Sequence, residues 1–380
     1  MTAAAGVGPD QTVARATRID RVRGAMVRAG VDALLLSLGA DLPWLTGYEA
    51  MPLERLTMLV LPADGDATLV VPRLEAPRVR EAPELFTVRP WNETEDPVQI
   101  VAALVGSRRS LGVSDRAWAS ALLRLQGALP AAAWSPASGV TGPIRAVKDA
   151  AEIGCLRAAG EAADRVADQL QAGLIPLVGR TEAEVSRDLS RRLRDEGHER
   201  VNFAIVGSGP NAASPHHEAG PRRIEAGDVV VCDFGGVLSL DGGPGYCSDI
   251  TRTVVTGEPS AEVRDLYAVL QAAQAQAVQA ARVGATCEEV DAAARRQITA
   301  GGFGEFFIHR TGHGIGLEEH EDPYIVAGNA TPLEPGHAFS VEPGIYLAGR
   351  FGARLEDIVV ATEDGPLALN RVDHGLAVVG

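Results

Sequence analysis

The chain has 380 residues, enough for two domains at roughly 150 residues each. Hydrophobic residues make up 46% and charged residues 22%, an ordinary globular balance that argues against a disordered or collagen-like chain. Acidic residues outnumber basic ones 50 to 35, a formal charge of −15, which is the wrong sign for a nucleic-acid partner.

No run approaches the roughly 18 uncharged apolar residues of a membrane span, so no membrane partner is expected. Met1 to Asp20 lacks an apolar stretch after a basic start, so no signal peptide is expected. Cys155, Cys232, Cys247 and Cys287 form no CxxC pair and read as thiols of a reducing, cytoplasmic compartment. Lys148 is the only lysine, which reads as codon bias of a GC-rich genome.

Residues 1–145 read as one α/β domain. Helical spacing over Ile19 to Ala29 ends at Gly30, and Val31 to Leu36 is a short apolar run of buried-strand type. Leu56 to Leu61 and Ala67 to Val71 flank the turn residues Pro62 to Asp66, the pattern of a hairpin. Leu111 to Ser114 is a further strand. This stretch holds no histidine and no catalytic cluster. Trp44, Tyr48 and Trp91 read mainly as core, with Trp44 and Tyr48 in a loop-like stretch. Ser135 to Pro143, rich in Ser, Gly and Pro, reads as a linker.

Residues 146–380 read as an α+β domain. A long helix is expected from about Lys148 to Gln171. Thr181-x-x-Glu184 and Thr286-x-x-Glu289 are capping boxes whose helices stop near Gly197 and Gly301. Strand-like runs follow at Val229 to Asp233, Ile250 to Val255, Ala338 to Glu342 and Leu355 to Val360.

An internal repeat organises this second domain. Glu225, Gly227, Asp233 and Gly235 match Glu334, Gly336, Glu342 and Gly344 at an offset of 109, and Asp249 stands opposite Glu356 at 107. Each half then has a strand ending in a carboxylate, a Gly-rich turn and a second strand with a carboxylate at its start. Taken singly these are ordinary turn acids. Asp233 and Glu342 each close an apolar run, however, and a buried carboxylate is costly unless paired or metal-bound. A pseudo-two-fold axis would bring the four together.

His309, His313 and His320 fall within twelve residues of a Gly-rich stretch, and His216 and His217 form a second group. Four carboxylates and one histidine make an oxygen-rich site, suited to Mn²⁺, Co²⁺ or Fe²⁺ and able to bridge two ions. Gly207-Ser-Gly-Pro-Asn-Ala has the form of a dinucleotide-binding turn, but Pro210 and Pro215 leave no helix to receive a pyrophosphate. HExxH, GxSxG and Walker A motifs are absent.

These stretches resemble the pita-bread metallopeptidases, which include Xaa-Pro dipeptidase (prolidase), aminopeptidase P and methionine aminopeptidase. The resemblance rests on Ser208 to His216, Gly227 to Asp233, Gly245 to Thr253, His309-x-x-Gly-His313-Gly-Ile-Gly, Glu342-Pro-Gly-Ile-Tyr346 and Arg354-Leu-Glu356-Asp. It covers about residues 145–375, and more weakly an N-terminal domain of creatinase type. It implies Asp233, Asp249, His313, Glu342 and Glu356 as ligands of two divalent metal ions, Mn²⁺ first, with Co²⁺, Fe²⁺ or Zn²⁺ as alternatives. It implies His216 as a stabiliser of the tetrahedral intermediate, with the adjacent His217 mattering less. His309, His320, Tyr346 and Arg354 are implied in substrate binding, and Glu342, His309 and His320 in catalysis. Fifteen residues separate Asp233 from Asp249, more than the family's usual spacing, so Leu238 to Pro244 is expected to lengthen a turn.

The activity implied is hydrolysis of Xaa-Pro bonds in short proline-containing peptides by a homodimer. Fold does not fix reaction, so a creatinase-like amidinohydrolase, an ectoine-derivative hydrolase or a sulfonium-propionate lyase stands as the alternative. Creatinase-type members lack the full ligand set, which this chain retains. The same retention argues against a non-catalytic binding module. Methionine aminopeptidase would leave about 145 N-terminal residues unexplained.

Overall fold

The computed structural model describes residues 9–240 and 243–380. Residues 1–8 and 241–242 lie outside it, so the N-terminal leader reading and the tip of the expected long turn fall partly beyond the described residues. The chain divides into two units, Met1–Arg145 and Ala146–Gly380.

The first unit is built on six strands: β1 (Ala33–Leu36), β2 (Met58–Pro62), β3 (Thr68–Pro72), β4 (Thr87–Trp91), β5 (Ser110–Val113) and β6 (Ala133–Pro136). They run in the order β4-β3-β2-β1-β5-β6. The β2–β3 hairpin is antiparallel, as its turn residues require, and β5 and β6 add in parallel. Helices α1 (Pro9–Ala29), α2 (Asp41–Thr46), α3 (Pro97–Val105), α4 (Ala119–Ala128) and α5 (Ser138–Ala146) complete it.

Two expectations fail here. Residues 135–143 are not a linker: they form the end of β6 and most of α5. Composition is overridden by a buried polar contact, in which Thr141 Oγ1 donates to Asp41 Oδ2 at 3.0 Å and Arg145 Nη1 donates to Asp41 Oδ1 at 3.1 Å. Trp44 sits on α2 where the sequence predicts a loop-like stretch; it is 1% exposed and Tyr48, just beyond the helix, is 4% exposed, so the reading of both as core holds.

The second unit repeats one design. Helices α6 (Ala150–Gln171) and α7 (Glu182–Asp195) precede strands β7 (Arg200–Ser208), β8 (Val229–Leu238) and β9 (Tyr246–Thr256). Helices α8 (Ala261–Ala280) and α9 (Cys287–Ala300) precede β10 (Gly312–Gly314), β11 (Glu321–Ile325), β12 (Ala338–Val341), β13 (Gly344–Leu347), β14 (Phe351–Arg354), β15 (Asp357–Thr362) and β16 (Gly365–Ala368). A last strand, β17 (Ala377–Val379), pairs in parallel with β9. One sheet runs β17-β9-β8-β7, another β11-β10-β12-β15-β16, and β13–β14 form a hairpin.

Each helix pair buries its apolar face on its own sheet. Val166 and Leu170 of α6 and Val185 and Leu189 of α7 pack on Val230, Cys232 and Phe234 of β8. Leu266 and Leu270 of α8 and Val290 and Ile298 of α9 pack on Phe339 and Val341 of β12. Thr181 and Thr286 both close full capping boxes, each stabilising its helix by about 1 kcal/mol. Asp149 and Glu152 form a third at the start of α6.

The turns before β8 and β12 are twins. Asp228 N–H donates to Glu225 O and His337 N–H to Glu334 O, while Gly227 and Gly336 take φ of 94° and 95°. Such angles strain any residue with a Cβ by about 1–2 kcal/mol. Gly227→Ala should cost about that much, because nothing lies within 4 Å of the added methyl. Gly336→Ala should cost distinctly more, because its methyl would sit 2.5 Å from Lys148 O. Urea unfolding of the two variants checks this, and equal midpoints would refute it.

Candidate metal centre

Strand periodicity aims the carboxylates. Val230, Cys232 and Phe234 face the helices, so Asp233 points to the opposite side of β8. Asp249 and Thr251 share one face of β9, opposite Ile250 and Val254. In the second half Phe339 and Val341 are core and Glu342 turns away from it; Glu356 stands just before β15. The two halves open into one cavity of about 480 Å³, lined by Asp233, Asp249, His313, Glu342 and Glu356 together with His216, His309, His320 and Arg354. Phe203, Ile205, Pro215, Arg310 and Glu319 also line it and escaped the sequence reading. Tyr346 is buried behind the wall and is not among the lining residues.

Donor atoms of Asp249, His313 and Glu356 all lie within 4.8 Å of one another. His313 Nε2 is 3.7 Å from Asp249 Oδ2 and 3.3 Å from Glu342 Oε1. His313 Nδ1–H donates to Gly314 O at 3.1 Å, which turns Nε2 toward the carboxylates. Glu356 Oε2 accepts from Thr251 Oγ1 at 2.6 Å, and Asp233 Oδ2 accepts from Arg354 Nη2 at 2.7 Å. Asp233 Oδ1 is buried and has no partner.

A second chain of bonds runs away from the cavity. Arg354 Nη1 donates to Tyr346 Oη at 2.8 Å, and Tyr346 Oη lies 2.9 Å from His309 Nε2. Tyr346 thus donates to Nε2, and His309 Nδ1–H donates to Arg310 O at 2.7 Å. This order sets the His309 tautomer. Arg310 Nη2 donates to His320 Nδ1 at 3.1 Å, and the His320 ring lies over His313 with centroids 3.8 Å apart.

The electrostatics follow from the crowding. Burial, then Glu356 and Asp233, push Asp249 well above the usual carboxylate range. Burial, then Glu342 and Asp233, do the same to Glu356. Asp233 is raised by burial against the opposing pull of Arg354. Burial also acts on Glu342, but the bond to His313 overrides it and holds Glu342 at about 2. Burial, then His313, bring His320 down to about 4; its outer edge meets solvent, so the push is less than full burial would give. The flanking thiols take no part. Burial pushes Cys232 up to about 12 and raises Cys247 further.

His216 stands on the cavity wall. His217 is far from idle: its Nε2 lies 2.7 Å from Glu182 Oε2, a fully buried carboxylate that also accepts from Ser208 and Asn211. Burial pushes Glu182 up, but these bonds outweigh it and hold the carboxyl below its usual range. The pair anchors the segment that carries His216. Gly207 to Ala212 ends a strand and begins a short 3-10 turn, with no helix of the dinucleotide-binding kind.

The donor set fits divalent cations. An unpartnered buried oxygen on Asp233, two carboxylates raised by burial and neighbouring acids, and an imidazole nitrogen turned toward them all ask for positive charge in the cavity. The duplicated half-unit with its acids turned inward defines a pita-bread hydrolase. Residues 154–363 match metallopeptidase family M24, residues 18–147 match the creatinase/prolidase N-terminal domain, and the chain belongs to that metallopeptidase family. A probable dipeptidase PepE of Mycobacterium bovis is 46% identical over 96% of both chains. The crystal structure of dipeptidase PepE from Mycobacterium ulcerans is 47% identical with a TM-score of 0.90, covering 97% of this chain and 98% of that one. A prolidase from Thermococcus sibiricus is 37% identical with a TM-score of 0.88, covering 95% and 98%. Membership implies divalent metal ions. Among the described residues no helix is long and apolar enough to cross a membrane.

Two outcomes are expected. Asp249 and Glu356 return to ordinary carboxylate behaviour on unfolding, so the unfolded chain gives up those protons first as pH rises. Metal-free protein should therefore lose stability upward from the ordinary carboxylate range. Glu342 works in the opposite sense: its contribution is present above its ordinary value and fades as pH falls toward 2. Melting of chelator-treated protein should be lower at about pH 8 than at about pH 5, and divalent ions should remove the difference. Equal melting without metal would contradict the crowding. Separately, His217→Ala should lower stability by about 1–3 kcal/mol, measured by urea unfolding, because it leaves buried Glu182 one bond short.

Proposed function

We propose that this chain is a dipeptidase that hydrolyses Xaa-Pro bonds with two divalent metal ions, Mn²⁺ first, held by Asp233, Asp249, His313, Glu342 and Glu356. The observation that carries the reading is the charge count in the cavity. Five carboxylates (Asp233, Asp249, Glu319, Glu342 and Glu356) and two guanidiniums (Arg310 and Arg354) line it, which leaves three negative charges in one cavity. One divalent ion leaves a negative charge there. Two overshoot by one, which a single anionic nucleophile balances. Relatives named dipeptidase and prolidase support the substrate class.

Bound at these residues, the ions supply a water of lowered pKa as nucleophile. The chain's own groups do the rest. His216 on the wall is placed to donate to the developing oxyanion. Glu342 Oε1, held ionised beside His313, accepts a proton and passes it to the leaving nitrogen. His309, its tautomer set by Tyr346, and His320 above His313 bind the peptide. Arg354 and Tyr346 act behind the wall, steadying Asp233 and His309. An Xaa-Pro bond has no amide hydrogen, so a peptidase must recognise it by shape and by its termini. The homodimer and the cytoplasmic location belong to the same reading. Met51, Leu53 and Trp118 around a shallow groove of the first unit offer exposed apolar surface for such a dimer.

Manganese-reconstituted protein should cleave Ala-Pro faster than Ala-Pro-Ala and leave Ala-Ala nearly intact. Cleavage of none would overturn the reading in favour of a non-peptide substrate. Asp249→Ala and Glu356→Ala should abolish turnover and lower bound metal, whereas His216→Ala should reduce kcat by about 10²-fold with metal content unchanged. Undiminished metal in both carboxylate variants would defeat the ligand set. Light scattering at micromolar concentration should report a dimer.

A further inference from the structure

Of 35 basic residues only Lys148 is a lysine, and it is almost fully enclosed: its side chain is 1% exposed, with Nζ 2.5 Å from Glu321 Oε1. Lysine is almost never fully buried without a partner. The residue is clamped at both ends. Its backbone N–H donates to Gly336 O at 2.9 Å, on the turn that leads into β12. Its side chain reaches Glu321, which directly follows His320 and pairs with Gly314 in the β10–β11 ladder.

Three glycines make room for this clamp. A Cβ on Gly336 would lie 2.5 Å from Lys148 O. One on Gly316 would lie 2.6 Å from Glu321 Oε1 and 3.1 Å from Lys148 Cε, and one on Gly314 would lie 2.1 Å from Asp322 O. None of the three lines the cavity. The glycines of His313-Gly-Ile-Gly316 therefore serve the packing beneath the loop, not the approach of a substrate. The slot also accounts for the lone lysine better than codon usage does. A compact ammonium on a thin stem fits beside Gly316, where a planar guanidinium would not.

We infer that the Lys148–Glu321 pair is a positioning element: it fixes the His313–His320 loop from below and so holds the His320 ring over the metal centre. The pair touches neither the cavity nor its donor atoms, so it acts on the reaction through His320. This rests on the peptidase reading above.

Lys148→Met should lower kcat/KM for Ala-Pro by up to about 10²-fold, the scale of a 1 Å misplacement, with bound metal unchanged. A buried cation removed alone leaves a charge unpaired, so a second variant keeps the test sharp. Lys148→Met with Glu321→Leu replaces the pair by apolar groups and should fold, yet retain the deficit. Wild-type kcat/KM in that double variant would overturn the inference. In a His320→Ala background Lys148→Met should add less than about a twofold further loss; losses that multiply in full would show a merely structural role. One readout is independent of turnover. Acylation of Lys148 by an amine-reactive acetyl reagent, followed by peptide mass, should be slow in the native protein and at least about tenfold faster in Glu321→Gln. Equal rates would also overturn it. If the wild type cleaves no Xaa-Pro peptide, the functional reading fails while the acylation result still judges the clamp.

Discussion

Repulsion between buried carboxylates around one cavity is the constraint on which this structure turns. Asp249 is raised by burial and then by Glu356, Glu356 by burial and then by Glu342, and Asp233 keeps one oxygen without a partner. A fold that only sought stability would neutralise them with apolar or paired groups. Here the two sheets hold the acids in place and spend their internal cations around them. Arg354 bonds Asp233 directly. Arg252, fully buried, donates to Glu356 O and pairs with Asp357, which His374 and Gln274 also bond. Losing one partner of such a pair costs about 3–5 kcal/mol, so the frame around the acids is stiff even though the acids themselves repel.

That stiffness comes from duplication. Each half supplies a helix pair that covers one face of a sheet, and the opposite faces meet at the cavity. The matched turns at Gly227 and Gly336 start β8 and β12 with the same geometry. Period two then carries the chain from turn to acid in both halves, which is why Asp233 and Glu342 share a direction without sharing a sheet.

The acids and histidines of the site were legible because their constraint is local: an apolar run closed by a carboxylate is rare unless the carboxylate has work. The β2–β3 hairpin and the capping boxes at Thr181 and Thr286 were legible for the same reason, since turn and cap chemistry is written in adjacent residues. Helix α8 was not. Its apolar face is largely alanine, so periodicity is faint, though the repeat itself would have found it: Ser260 caps α8 as Asp149 caps α6, 111 residues apart. Residues 135–143 misled because Gly, Ser and Pro mark a linker by composition, while Asp41, about a hundred positions away, decides the outcome. The anchoring bond of His217 was not legible because its partner, Glu182, lies 35 positions away and carries no sequence mark of burial. Phe203, Ile205, Arg310 and Glu319 reach the cavity only through the register of the sheets and loops around them.

The distance in sequence between the halves has a consequence for how the centre comes into being. Each half builds most of its helix–sheet core from neighbouring segments, with Val372 and Val379 from the end of the chain joining the first. Closing the site is another matter: Arg354 reaches Asp233 across 121 positions and Thr251 reaches Glu356 across 105. Contacts so remote form late, after the entropy of bringing the halves together has been met. A growing chain that has made only its first half holds two of the site's carboxylates, Asp233 and Asp249, without His313, Glu342 or Glu356. Ions met at that stage find little to distinguish one from another. Geometry and donor number, the features that discriminate among ions, are complete only in the docked protein.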